Sequence, residues 1–499
     1  MIIRIQGNLN PYYIQTLCML FFPGVKFPEN EVETPETHVV TVDMTESETG
    51  VAAVSSIVLG ETKTEGSWSE NWNDEIGDRD RIRKIAAGRS FMLAGEAFTG
   101  FTPPWGIMTG VRPAKLVSEY LHNGKTPEEA AALLEREFFA SRDKAELAVQ
   151  VAQAEDRLIT DEKRKECSLY IAIPFCPTRC AYCSFVSYTS PNLLKLIPDY
   201  LAALAEDIDH TCSLIRKLGL RVATVYIGGG TPTILTADQL DFLLSRIRKW
   251  IPEVEEFTLE AGRPDTVTME KLQSIRSAGV SRISINPQTL QEDILRSIGR
   301  KHTVEQFYNA YELARKAGCD HINTDLIAGL PGDTPDGFKD TLQGIIGLNP
   351  ESITVHTLSM KRASNLVINH RADYTRQDEA VQMVAYSADQ LPTAGYRPYY
   401  LYRQSRMVGN QENVGWAKPG HEGMYNVYIM DETHTILGCG AGAVTKLKQP
   451  HSDYLERIFN YKFPYEYNTG IEEMLARKER VRSFYDELET KSPIDDRRD

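Results

Sequence analysis

Between residues 168 and 358, six short apolar runs alternate with longer amphipathic segments, which restricts this stretch to folds where parallel strands are joined by helices. The spacing predicts strands over 168–173, 222–227, 255–261, 281–285, 321–327 and 352–358. Between them, Leu201, Leu204, Ile208, Cys212 and Ile215 share one helical face, as do Leu240, Leu243, Leu244 and Ile247, and Phe307, Tyr311 and Ala314. Thr236 with Gln239 and Thr303 with Gln306 have capping-box spacing. Gly279 and Gly318 follow helices, and Thr334-Pro335 places a cap before a first-turn proline. Right-handed crossovers then give a sheet that is open or curled into part of a TIM-type barrel, and six repeats make an incomplete one. The expected class is α/β, with a partial (β/α)6 TIM-type barrel.

The flanks follow other rules. A length of 499 residues suggests about three structural units at roughly 150 residues each. Residues 1–75 carry β-type runs at 38–44 and 51–59 and read as a small α+β module. Residues 76–165 are helical, interrupted by the Pro/Gly-rich 102–113 and ended by the charged linker 161–166. The barrel core occupies 166–360. A C-terminal α+β extension, 361–499, is predicted to hold a helix near 376–391 and strands at 399–403, 425–430 and 433–438.

With 55 basic against 69 acidic side chains, the formal charge of -14 argues against a surface built for nucleic acid. The most apolar N-terminal stretch, Ile14–Phe22, is far shorter than the roughly 18 apolar residues of a membrane span. The first residues lack the pattern of a secretory leader, so the cytoplasm is expected.

Of eight cysteines, Cys18, Cys167, Cys212, Cys319 and Cys439 are scattered, whereas Cys176, Cys180 and Cys183 form C-x₃-C-x₂-C in the loop after the first barrel strand. Three thiolates on so short a loop can hold three irons of a cubane and leave the fourth open to a ligand. A zinc site wants a fourth ligand, and His210, the nearest histidine, falls well inside the next helix. Buried core thiols are the remaining alternative. After the second strand, Gly228-Gly-Gly-Thr231 lets a backbone approach a ligand closely. Glu260, Gln288 and Asp325 stand at the ends of later strands, where a barrel gathers its site. His356, on the last strand, reads as a satisfied core histidine.

Together the cysteine loop and the glycine turn resemble the radical S-adenosylmethionine (SAM) superfamily. The resemblance implies that Cys176, Cys180 and Cys183 hold a [4Fe–4S] cluster whose free iron is chelated by SAM, and that one electron cleaves SAM to methionine and a 5′-deoxyadenosyl radical. It places Gly229, Gly230 and Thr231 at the methionyl end of SAM. Adding Pro287-Gln-Thr-Leu290, Ile298-Gly-Arg-Lys-His302 and Asp325-Leu-Ile-Ala-Gly-Leu-Pro-Gly332 narrows the resemblance to the oxygen-independent coproporphyrinogen III dehydrogenase family. By motif position, Tyr170, Tyr182, Glu260, Gln288, Arg300, Asp325, Ser359 and Val444 match its SAM contacts.

Trp105-Gly-Ile-Met-Thr-Gly-Val-Arg-Pro113 and Leu437-Gly-Cys-Gly-Ala-Gly-Ala-Val444 are similar to the HemZ-type branch. The implied activity is oxidative decarboxylation of porphyrinogen propionates to vinyl groups, with a flavodoxin- or ferredoxin-type reductant as partner and the C-terminal region covering the substrate. No catalytic residue is implied beyond the cluster and SAM site. Substrate carboxylates call for cations, and Lys361, Arg362, Arg403 and Arg406 lie just past the barrel, with Arg403 and Arg406 as the expected propionate ligands. Two departures stand out: Tyr182 and Phe185 occupy positions where the oxidase branch has Phe and an extra Cys. The chaperone branch's His-Asn-x-x-Tyr-Trp haem signature is replaced by Asn410-Gln-Glu-Asn-Val-Gly-Trp-Ala417, which weakens the alternative of a haem-carrying protein.

Overall fold

A computed structural model describes residues 1–73, 77–110, 112–185, 187–361, 364–368, 376–404 and 406–491. Strands β1 (Ile2–Gln6), β2 (Val39–Glu46), β3 (Gly50–Leu59) and β4 (Thr62–Asn71) form an N-terminal sheet in that order. The helices Pro11–Phe21 and Arg79–Thr99 supply Ile14, Leu17 and Phe91 to a core shared with Val40, Val42 and Ile57. The sequence reading missed β4 because its residues are polar on both faces; its backbone pairing with β3, not an apolar stripe, makes it a strand. Three helices, Pro113–His122, Pro127–Phe138 and Arg142–Leu158, connect this module to the barrel.

The six predicted barrel strands are present as β5 (Cys167–Ile173), β6 (Val222–Gly229), β7 (Glu256–Glu260), β8 (Arg282–Ser284), β9 (Ile322–Ala328) and β10 (Ser352–Thr357). They run parallel in sequential order. Both capping boxes form, and Gly279 and Gly318 adopt the left-handed conformation after their helices.

The C-terminal region extends this sheet at both edges. Antiparallel β12 (Asn413–Ala417) and β11 (Arg397–Tyr402) add beyond β10. On the far side β13 (Thr435–Cys439) pairs in parallel with β5, followed by antiparallel β14 (Val444–Lys448) and β15 (Leu455–Phe459). The strand expected at 425–430 is instead part of a helix, Met424–Asp431. Its aromatic and β-branched residues favour a strand locally, but the Glu256 carboxylate accepts from the N–H groups of Met424 and Tyr425 at 2.8 and 3.1 Å. That carboxylate satisfies two otherwise orphaned donors of a helix start.

The last helix, Ile471–Lys491, docks on the helix Ile197–Lys217 through buried Lys478 and Asp207. Asp207 also accepts from Tyr467 Oη at 2.6 Å and from Gly440 N at 3.0 Å. Among the described residues no helix is long and apolar enough to cross a membrane.

Candidate radical SAM site

Residues from the ends of β6 to β10, the cysteine loop and the C-terminal region line one cavity of about 380 Å³. Cys176, Cys180 and Cys183 lie in its wall, and every described cysteine is a free thiol. The loop is held from several sides: Cys176 N donates to Tyr188 O at 3.1 Å, Ala181 N to Ile298 O at 2.8 Å, and the Thr231 hydroxyl to Cys176 Sγ at 3.3 Å. Burial pushes the Cys176 and Cys183 thiols up, the latter to about 11, so a bound metal must displace their protons. Among the described residues no three His, Cys, Asp or Glu side chains converge as they would on a single ion. Three separate thiols on one wall suit a cluster in which each takes a different iron, and not a closed zinc site.

The glycine turn borders the thiols because it cannot carry side chains. A Cβ on Gly230 would lie 2.6 Å from Phe175 O and 2.7 Å from Ile173 O, and the Gly230 N–H donates to Ile173 O at 2.9 Å and the Thr231 N–H to Phe175 O at 2.8 Å. Beyond it, Tyr226 Oη donates to Glu260 Oε1 at 2.5 Å. Burial raises the Glu260 carboxyl to about 7 against the lowering effect of that hydrogen bond. Asp325 accepts from Asn323 Nδ2 at 2.7 Å and Asn286 Nδ2 at 2.8 Å, with His356 Nε2 at 3.7 Å. Burial would raise its carboxyl, but His356 and the amide donors hold it below the ordinary value.

Gln288 is pinned with φ 69° between the Asp325 carbonyl and the Ile327 N–H, and its buried Oε1 has no hydrogen-bond partner among the described residues. A left-handed non-glycine residue with an orphaned acceptor in a cavity wall marks a position shaped for a ligand. Arg300 donates to Asn286 O at 2.6 Å and Gly262 O at 3.2 Å, tying the ends of β7 and β8 together.

Of the expected SAM contacts, Tyr182, Gly229, Gly230, Thr231, Glu260, Gln288, Arg300, Asp325 and Ser359 all line this cavity. Tyr170 lies behind the wall, its hydroxyl 3.3 Å from where a Gly229 Cβ would sit. Val444, on β14, is not in the lining either.

His356 is a correction: it faces the cavity beside Asp325 and is not a closed core residue. Arg403 and Arg406 lie elsewhere, at a second cavity. Neither lines the thiol-walled cavity; Arg403 is 6% exposed, donates to Met108 O at 2.6 Å and to Asn410, and stacks over Trp105. Lys361 does reach the cavity, while Arg362 lies outside the described residues. The sequence reading missed Arg263, which donates to Thr178 O at 3.2 Å and lies 3.9 Å from Cys180 Sγ. Its signal was a cation three residues after Glu260, at a strand end in Glu-Ala-Gly-Arg-Pro.

Residues 170–345 match the family model of the radical SAM superfamily, so barrel, thiol wall and glycine turn define a radical SAM protein with a [4Fe–4S] cluster and SAM as cofactors. An oxygen-independent coproporphyrinogen-III oxidase-like protein, HemZ of Bacillus subtilis, is 36% identical over 476 residues, spanning 93% of this chain and 94% of that protein. The chain belongs to this HemZ family. Heme chaperone HemW of the same organism is 31% identical over 310 residues, or 60% of this chain and 77% of that one. The solved coproporphyrinogen III oxidase HemN of Escherichia coli shares the fold, with a TM-score of 0.51 at 22% identity over 65% of this chain and 73% of its own.

Proposed function

We propose that this protein is an oxygen-independent coproporphyrinogen III dehydrogenase acting in the cytoplasm with a flavodoxin- or ferredoxin-type reductant. When bound, the cluster and SAM supply a 5′-deoxyadenosyl radical. Cys176, Cys180 and Cys183 would hold the cluster, with the Thr231 hydroxyl bonded to the first thiol. Gly229, Gly230 and Thr231 would take the methionyl end of SAM, and Tyr182, Glu260, Gln288, Arg300, Asp325 and Ser359 the remainder. For each propionate, a hydrogen atom leaves the β-carbon, CO₂ departs, and one electron passes to an acceptor, leaving a vinyl group.

The observation that carries this reading is the makeup of the cavity's other side: Lys361, His356, Tyr400 and Tyr402 share the space with the thiol wall. A cation and aromatic faces suit a carboxylate-bearing tetrapyrrole.

The similarity to HemW supports a second reading, haem transfer. Against it, the Asn410–Asn413 stretch is buried, and Glu412 accepts from Trp105 Nε1 at 2.7 Å and Lys144 Nζ at 2.6 Å, with no histidine present. Anaerobic incubation of cluster-loaded protein with coproporphyrinogen III, SAM and dithionite tests the choice. Protoporphyrinogen and CO₂ are expected; stoichiometric haem binding with no decarboxylated product would replace the enzyme reading by the carrier.

A further inference from the structure

The motif Trp105–Pro113 has no part in the radical site, yet it helps build a second cavity of about 290 Å³. The helix Pro11–Phe21 supplies one wall, Met108 to Gly110 another, and the segment after β11 the third. Four thioethers, of Met19, Met108, Met360 and Met407, give it an apolar and adaptable lining. Arg403 and Arg406 bring two guanidinium groups to it, and among the described residues no Asp, Glu or Lys lines it.

The cationic side is held in place. Arg403 is fixed by Met108 O, Asn410 and the face of Trp105, and burial lowers it to about 10. Its Nε and Asn410 Nδ2 are buried donors without partners among the described residues. Arg406, Gly409 and Asn410 all have positive φ, at 65°, 64° and 54°, so the segment carrying these groups is bent against ordinary backbone preference. Arg406 has no carboxylate partner among the described residues.

We propose that this second cavity binds a carboxylate carried on an apolar body, at a site separate from the radical cavity and built by the N-terminal module. The thioether walls suit an apolar body, and the planar guanidinium of Arg406 suits the two oxygens of a carboxylate. The chemistry has two sources, the propionate edge of a tetrapyrrole and a fatty acyl chain. Gln404 lies in the wall of both cavities, and that continuity favours the tetrapyrrole. A ligand larger than the cavity would emerge past Tyr12, which is 68% exposed at its edge.

The test is binding without turnover, using coproporphyrin III fluorescence and dodecanoate with cluster-loaded protein and no reductant. In a His356→Trp background, whose radical cavity is filled, Arg406→Gln is expected to weaken coproporphyrin binding at least tenfold, and Thr16→Trp, which fills the second cavity from the helix, to abolish it. His356→Trp alone should lose binding at the radical cavity and keep the component held by the second cavity. Iron content and far-UV circular dichroism report that each variant is folded. Binding of dodecanoate alone would keep the site and assign it to an acyl chain. Binding of neither probe, or coproporphyrin binding lost in His356→Trp and retained in Thr16→Trp, overturns the proposal. No product is measured, so failure here leaves the decarboxylation reading standing, and failure of that assay leaves this site standing.

Discussion

Replacing Tyr226 by Phe removes one hydroxyl and keeps the ring stack on Tyr425, whose centroid lies 4.4 Å away. The lost bond is the 2.5 Å donation to Glu260, a carboxyl already raised to about 7 by burial. A hydrogen bond to a charged group contributes about 1.5–3 kcal/mol, which at about 1.4 kcal/mol per unit raises the Glu260 pKa by roughly 1–2 units. If SAM binds the ionised carboxylate, affinity rises as pH increases through the Glu260 pKa. At pH 7 the ionised fraction then falls from about one half to roughly 1–9% in Tyr226→Phe, weakening SAM by roughly 5- to 50-fold. At pH 9 the same shift costs less than about threefold. Anaerobic calorimetry of SAM binding to cluster-loaded protein between pH 6 and 9.5 measures both curves. A loss of affinity of equal size at every pH, or binding in the unsubstituted protein that weakens as pH rises through 7, would refute the role given to the Glu260 carboxylate.

Three further outcomes are expected. Cys180→Ala should lose the iron and the reduced-cluster EPR signal, while Cys439→Ala, whose thiol is buried by Thr211 and Lys478, keeps both. Gly230→Ala drives a Cβ into the Phe175 and Ile173 carbonyls, and SAM affinity measured by equilibrium dialysis should fall about tenfold or more. Lys478→Met strands the buried Asp207 carboxylate and should cost about 3–5 kcal/mol in urea unfolding followed by tryptophan fluorescence. The double variant Asp207→Asn, Lys478→Met should recover much of that, because the pair's desolvation cost disappears with its attraction.

The barrel was readable from sequence because each strand is an apolar run with its own stop signals, and Thr236, Thr303 and Thr334 mark helix starts by local chemistry alone. The thiol triplet and glycine turn were readable for a similar reason, since both are local motifs. What escaped was decided by distant residues. Met424–Asp431 is a helix because Glu256 on β7 receives its first N–H groups. Arg403 is drawn from the expected substrate wall by Trp105 and Met108, nearly three hundred positions earlier. His356 reads as core on an apolar strand, and only the position of Asp325 on the neighbouring strand shows which face it takes.

The parallel pairing of β13 with β5 also sets a timetable for synthesis. Thr435 sits opposite Cys167, about 270 residues later in the chain, and at 5–20 residues per second the ribosome needs roughly 15–50 s to deliver it. During that interval one edge of the first barrel strand has unmatched N–H and C=O groups, the kind of edge that recruits a neighbouring chain. Asp207 waits as long for Lys478, 271 positions downstream. A nascent chain halted near residue 360 therefore holds the cysteine loop beside an open sheet edge and an unpaired buried carboxylate.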